Sequence, residues 1–393
     1  MRVLKVIAQK PGYTGSGIYL RALLSKAPQY GITQASVVGL NSYDEPDLEN
    51  IHPIRFESEK LPFPVVGMSD VMPYRSSRWP DLTEQQLAQY RRTFEETISE
   101  AVERFQPDLI HCHHLWLCTA LTRELVRDLP VVASCHGTGL RQGVKLPHLW
   151  ERWQPSLAEL DHVFCLTPQQ EERCRALNCP TSVVGAGFEE SIFHSQGRKK
   201  EGPFRMLYAG KLARAKGVLE LLNAAAPTLE KGTSLALAGS GMGEEAETIA
   251  RQAEHCGATL LGRLDQMTLS QEMRNSDLFV LPSYYEGLPL VLAEALSCGC
   301  RVVVSDLPGI REWLPDELLQ SGWVTLVKLP RLEGADQPFP QDVPEFVDRL
   351  RRALETQSQK ILTPPPQLSA FLRECSWSGV FSKIHQTYRE LLK

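Results

Sequence analysis

Short apolar runs alternate with longer amphipathic segments along most of the chain. In the second half the alternation is regular: Arg205–Ala209, Val218–Leu229, Ser234–Ala238, Glu244–Cys256, Thr259–Leu261 and Leu269–Asn275. It continues through Leu278–Leu281, Leu290–Cys298, Arg301–Ser305 and Ile310–Leu314. Short apolar runs, each followed by a helix-length segment, predict repeated β-α units and a parallel sheet covered by helices. The first half is similar but looser, with strands expected at Val3–Ala8, Ser36–Leu40, Leu109–His111, Val131–Ser134, His162–Leu166 and Thr181–Val184. A helix is predicted from Glu84 to Phe105, because Leu87, Tyr90, Phe94, Ile98, Ala101, Val102 and Phe105 recur on one face. Thr83 and Gln86 have capping-box spacing at its start, and Pro107 stops it.

Between the halves, Ser195–Pro203 is polar, rich in glycine and charge, and reads as a linker. Its Arg198-Lys199-Lys200 cluster is a solvated face, or alternatively a contact for an acidic membrane surface. Two α/β domains joined in this way would face each other across a cleft at the C-terminal ends of their sheets. The length of 393 residues suits two domains, and 42% hydrophobic with 23% charged residues suits a soluble chain. Lys plus Arg is 42 and Asp plus Glu is 47, a net charge of −5, which excludes bulk nucleic-acid binding. No apolar run approaches the roughly 20 residues needed to span a bilayer, and Val3–Ala8 begins a strand where a signal peptide would stand. The ten cysteines include no C-x-x-C pair, so free thiols in a reducing cytoplasm are expected.

Several loops after strands carry chemistry. Gly12-Tyr13-Thr14-Gly15-Ser16-Gly17 either leaves helix N–H groups free for an anion or is a plain tight turn. Its spacing is not the dinucleotide fingerprint, and no acidic residue caps the strand ending at Leu40, so a nicotinamide cofactor is not expected. Gly210–Gly217 sets Lys211 and Lys216 on either side of a turn into a helix, which suits a diphosphate or a solvated basic loop. Gly239-Ser240-Gly241 is a second backbone-exposing loop at the same sheet end, without the full P-loop pattern. His136-Gly137 ends a strand, where a histidine can hydrogen-bond a sugar hydroxyl, carry a proton or simply satisfy its own loop. His111-Cys112-His113-His114 has the look of a metal box. Adjacent strand residues cannot all converge on one ion, so it reads as a polar loop lining the cleft.

Glu286 and Glu294 stand eight residues apart across a strand-to-helix junction, with Pro282 ending the strand and Pro289 suited to the first helical turn. One carboxylate on the loop and one within the helix can hold a polyol at two points, beside N–H groups that suit an anion.

With these residues in view, the chain resembles the retaining nucleotide-sugar glycosyltransferases of family 4, of GT-B architecture, most strongly over 206–314. Glu286 and Glu294 match the family's Glu-x7-Glu, and Lys211 and Lys216 match its basic pair. The first of that pair is usually Arg, so Lys211 keeps the charge without the planar fork. His136-Gly137, Gly15 with Gly17, and the glycine at Gly187 match further positions, although Ala186 stands where an Asn is common. Trp377 to Leu392 resembles the last helix, which crosses back to the N-terminal domain.

The resemblance implies an α/β GT-B fold with two Rossmann-like domains: an acceptor-side domain over 1–190 with 376–393, and a nucleotide-sugar domain over 203–375. It implies that Glu294 binds the ribose, Glu286 and His136 the donor sugar, and the backbone near Arg263 the base. Lys211 and Lys216 would neutralise the diphosphate in place of a metal, so no cofactor is expected. Gly15, Gly17, Gly239, Gly241, Gly287, Leu288 and Pro289 would present backbone to the donor. The implied reaction moves a hexose or N-acetylhexosamine from a nucleoside-diphosphate sugar, UDP favoured over GDP, to a hydroxyl, with retention. The acceptor would meet Arg75, Arg78, His113, Arg141 and Lys145, which suits an acidic or lipid-linked group, and Trp79 and Trp116 either stack on a sugar or pack in the core. The implied location is the cytoplasm, including its membrane surface. An epimerase, a glycan phosphorylase or a binding protein on the same scaffold are the alternatives. No phosphorylase cofactor-lysine signature is present, and competent residue types at the matched positions argue against a decayed site.

Overall fold

The computed structural model describes residues 1–45, 47–69, 72–198, 202–286, 289–334 and 336–393. The chain divides into two compact units, Met1–Gly187 with Trp377–Lys393, and Phe188–Ser376. The division falls at Gly187/Phe188, ahead of the polar stretch expected to link the halves. That stretch falls within the second unit, where Arg198 donates to the carbonyls of Ser276 and Cys298. Lys199 and Lys200, named with it for a membrane contact, lie outside the described residues.

The first unit holds a seven-stranded parallel sheet of β1 (Arg2–Ile7), β2 (Thr33–Asn41), β3 (Ile51–Phe56), β4 (Leu109–His113), β5 (Val131–Cys135), β6 (His162–Cys165) and β7 (Thr181–Val183), in the order β3-β2-β1-β4-β5-β6-β7. The central strands are buried along their whole length, as a sheet covered on both faces requires. The helix Glu84–Phe105 has the predicted bounds, and its Thr83–Gln86 capping box is formed. It buries Leu87, Tyr90, Phe94, Ile98, Ala101 and Phe105. The strand β3 went unanticipated because Pro53 and the polar His52 and Arg55 break its apolar run. It pairs only with β2, at the sheet edge, where a missing N–H is tolerated. The last helix, Trp377–Leu391, packs Val380, Phe381, Ile384 and Tyr388 against Val3, Tyr19, Leu109 and Phe164.

The second unit holds a six-stranded parallel sheet of β8 (Arg205–Ala209), β9 (Ser234–Ala238), β10 (Thr259–Gly262), β11 (Leu278–Leu281), β12 (Arg301–Ser305) and β13 (Val324–Val327), in the order β10-β9-β8-β11-β12-β13. Both sheets reverse their winding between the first and fourth strands. Connections leave there toward opposite sides and open a crevice beyond the strand C-termini.

Candidate functional site

In the second unit that crevice is a cavity of about 660 Å³, ample for a small ligand. It sits beyond β8, β9 and β11, and its lining includes Gly210, Lys211, Lys216, Gly239, Gly241, Arg263, Glu286 and Pro289. The loops are held by backbone bonds: Gly210 N donates to Ala238 O at 2.9 Å, Leu212 N to Ser240 O at 3.0 Å and Gly239 N to Gly262 O at 2.7 Å. Two glycines are required by these close approaches. Gly239 has φ +152° and a Cβ there would overlap the carbonyl oxygen of Gly210; Gly217 has φ +65° and a Cβ would overlap that of Pro282.

The charged groups are unequal. Lys216 Nζ lies 2.8 Å from Glu286 Oε1, and the same carboxylate oxygen accepts from Ser283 Oγ at 2.7 Å. One residue of the basic pair is therefore joined to the first of the two glutamates. The side chain of Lys211 is exposed, and its carbonyl accepts from Tyr208 Oη at 2.7 Å. Arg263 is also exposed, and among the described residues neither Lys211 nor Arg263 has an ion-pair partner. Leu264, Leu269 and Val291 add an apolar wall to the cavity. Gly287 and Leu288 lie outside the described residues.

Glu294 sits in the helix Leu290–Ser297 and is not among the residues that line the cavity. It is half-buried, and desolvation alone accounts for its shifted titration. Burial pushes its pKa up from 4.5 to about 7.

The first unit carries the remaining candidates. Thr14 caps the helix Gly15–Lys26 by accepting from Gly17 N at 3.2 Å. A Cβ on Gly17 would press on the backbone of Gly12, whereas one on Gly15 would meet open space. Gly17 is thus accounted for by the chain's own packing, and Gly15 leaves room. His136 is half-buried at the end of β5, and its Nε2 lies 3.0 Å from Nδ1 of His113. Burial, and then the neighbouring His114, holds the His136 pKa well below its ordinary value, so the ring is neutral at pH 7.

The four residues His111 to His114 do not form a polar loop. His111 and His113 lie on β4 and are buried, as is His114 after it. His113, expected to face an acceptor, is 1% exposed and reaches His136 instead. His111 Nε2 bonds Ser134 Oγ at 2.8 Å, and its Nδ1 lies 3.1 Å from Nζ of the buried Lys5, which donates to Tyr388 Oη at 2.7 Å. Among the other acceptor candidates, Arg75 pairs with Glu57 at 3.0 Å, Arg78 with Asp81, and Arg141 donates to Ser69 Oγ at 2.9 Å. Lys145 ends the helix Thr138–Lys145 and is exposed. Trp79 and Trp116 are core residues, packed edge-on against each other and against Trp153.

Two family profiles divide the chain as its units do. One, described as "Glycosyl transferase 4-like domain", matches residues 14–185, and the other, "Glycosyl transferases group 1", matches 189–328. The chain belongs to the group 1 glycosyltransferases of the family 4 type. A glycogen synthase of Mycobacterium tuberculosis is 29% identical over 230 residues, 53% of this chain and 54% of that protein. An N,N'-diacetylbacillosaminyl-diphospho-undecaprenol alpha-1,3-N-acetylgalactosaminyltransferase of Campylobacter jejuni is 39% identical over 146 residues, 34% of this chain and 38% of that protein. The chain thus spans about half the length, or less, of these curated relatives. Among solved structures, the sucrose-phosphate synthase of Thermosynechococcus elongatus superposes with a TM-score of 0.64 at 18% identity, over 99% of this chain and 98% of that one. The fold is GT-B: two parallel-sheet α/β domains.

Within this family frame, the cavity gathers Lys211, Lys216, Gly239, Gly241, Arg263, Glu286 and Pro289 in one unit. Gly15, Gly17 and His136 belong to the other unit. The reading from sequence missed Ser283 and the apolar wall. Ser283 had a signal: it stands three residues before Glu286 on the same loop. Leu264, Leu269 and Val291 had none, since isolated leucines and valines in β-α repeats are ordinarily core.

Proposed function

We propose that the protein transfers a hexosyl or N-acetylhexosaminyl group from a nucleoside-diphosphate sugar to a hydroxyl acceptor. The observation that supports this most is the cavity beyond β8, β9 and β11, which combines two cations with no ion-pair partner among the described residues, glycine loops and the Lys216–Glu286 pair. Lys211 and Arg263 suit the negative charge of a diphosphate. Lys216 is shared: it meets a phosphate oxygen on one side and orients Glu286 on the other. Glu286 then accepts from donor-sugar hydroxyls, and Glu294 from the ribose. His136 donates to a hydroxyl of the transferred sugar. Cationic side chains stabilise the leaving diphosphate, so the transfer is metal-independent. UDP is the favoured donor nucleotide, as across the family.

The reaction proceeds with retention by front-side displacement. The bond from the sugar C1 to the phosphate oxygen breaks, the acceptor oxygen bonds C1 on the same face, and its proton passes to a donor phosphate oxygen. Such a course needs no second carboxylate placed as in glycosidases. The acceptor is a hydroxyl on an acidic or lipid-linked molecule, met by Arg75, Arg141 and Lys145 in a cytoplasmic setting that includes the membrane surface. Among the described residues, no helix is long and apolar enough to cross a membrane.

The test is a thermal-shift panel of UDP-, GDP- and ADP-sugars, followed by nucleoside-diphosphate release with and without lipid-diphosphate and sugar-phosphate acceptors. Release that needs an acceptor supports transfer. Release without one, or stabilisation by a nucleotide sugar with no turnover on any acceptor, overturns it.

A further inference from the structure

In the first unit, His136 is joined to a buried histidine, His113, to which the proposed function gives no part. The ring planes of His113 and His136 are within 11° of parallel, with centroids 5.3 Å apart and Nδ1 of His113 3.0 Å from Nε2 of His136. Two ring nitrogens at that distance form a hydrogen bond between a ring N–H and a ring lone pair. Both rings are neutral at pH 7, because burial, ahead of their neighbours' charges, holds both pKa values far below the ordinary value. One proton therefore lies between them, and either ring can own it.

The surroundings of His113 break the tie. Its Nε2 is buried and has no hydrogen-bond partner among the described residues. If His136 owned the shared proton, the single proton of neutral His113 would have to sit on that Nε2, as a buried N–H with no acceptor. If His113 owns it, the buried Nε2 carries only a lone pair. Orphaned donors are rarer in proteins than under-satisfied acceptors, and the difference is about tenfold or more in population. The packing leaves His113 little room to turn. Its ring stacks on His111 at 5.0 Å and 6°, and His111 is itself fixed by Ser134, Lys5 and Tyr388. Tyr19 lies edge-on to both His113 and His136, and His114 leans on His136 with its own Nδ1 bonded to Thr138 Oγ1.

We infer that His113 is a positioning residue that donates Nδ1–H to His136 Nε2 and so holds His136 as the Nδ1–H tautomer, with that N–H offered to a substrate hydroxyl. Nδ1 of His136 has no hydrogen-bond partner among the described residues, and the residue is only half-buried. His136 is thereby a donor only: its sole ring lone pair is occupied by His113. It can bind an oxygen of the transferred sugar but cannot act as a general base. This rests on the proposed transferase reading for the identity of the hydroxyl, whereas the tautomer itself does not.

The experiment is two-bond 1H–15N correlation NMR of the full chain labelled at histidine, with His136 assigned by loss of its signals in His136→Asn. The expected result is a neutral His136 with its proton on Nδ1 and its lone pair on Nε2. His113→Leu should move His136 toward the Nε2–H form. His113→Asn places an amide N–H close to the lost Nδ1 and should restore the original tautomer. In acceptor-dependent turnover of a UDP-sugar, His113→Leu should lower kcat about tenfold, the loss of one oriented hydrogen bond, with recovery in His113→Asn. An Nε2–H tautomer in the unsubstituted protein, or no change in His113→Leu, overturns the inference while leaving transfer intact. The expected tautomers in a protein that transfers no sugar would instead overturn the transferase reading alone.

Discussion

Glu294 provides a test in which the sign and size of an effect both follow from burial. Burial pushes its carboxyl pKa up from 4.5 to about 7, and the cause is desolvation. That difference corresponds to about 3 kcal/mol between the ionised and protonated forms. The folded-state pKa is raised, so the folded chain holds more protons than the unfolded chain between about pH 4.5 and 7. Below that window the group is protonated in both states and costs nothing. Above it the group is ionised in both, and the folded state bears the whole penalty. Glu294→Gln keeps the shape and removes the charge. Its second unit should be more stable than the unsubstituted one by about 2 to 3 kcal/mol at pH 8.5 and nearly equal at about pH 4, roughly 5–10 °C in that unit's transition. Urea or calorimetric unfolding at the two pH values checks this. Parallel pH profiles for the two proteins would refute the argument, since they would mean that the carboxylate is solvated or paired. A second reading uses the same group. If ribose hydroxyls donate to this carboxylate, UDP binding near pH 7 lowers its pKa and releases protons. Calorimetric titration in buffers of different ionisation heat should detect the release, and Glu294→Gln should abolish it while weakening UDP.

Other substitutions probe separate links. Lys216→Met removes a cation from the cavity and leaves Glu286 with Ser283 alone; UDP affinity should fall roughly 30-fold, about 2 kcal/mol, by titration. Glu286→Ala should reduce turnover more than UDP affinity, and equal losses in both would count against its assignment to the sugar. Gly239→Ala forces a Cβ onto the carbonyl of Gly210 and should cost about 2 to 3 kcal/mol in unfolding measurements, together with UDP binding. Lys5 is buried, and burial lowers its pKa from 10.5 to about 7, so the folded state binds fewer protons than the unfolded one between those values. The first unit should therefore gain stability as pH rises from 7 to 10, and Lys5→Met should flatten that rise in a pH series of melting curves.

What the sequence determined by itself is what local chemistry decides. The helix Glu84–Phe105 carries its own apolar stripe, cap and stop, and needs no tertiary information. The strands of the second unit are short apolar runs bounded by glycine and polar loops, and β8, β9, β11 and β12 have the bounds read from sequence. That Lys211, Lys216 and Glu286 stand just beyond strand ends was legible for the same reason, because the β-α alternation says which loops share a sheet edge. The edge strand β3 was not legible, since its pairing with β2 joins residues distant in sequence, such as Ser36 with Ile51, and outweighs Pro53. Nor was the fate of individual polar side chains. A histidine after an apolar strand reads alike whether it faces solvent or a buried ring. Only the packing of β4 against β5 and the last helix makes His113 the partner of His136, and Lys5 the partner of Tyr388. The raised pKa of Glu294 is likewise a tertiary property. Spacing places a carboxylate on a helix, but the solvent it loses depends on everything packed around it.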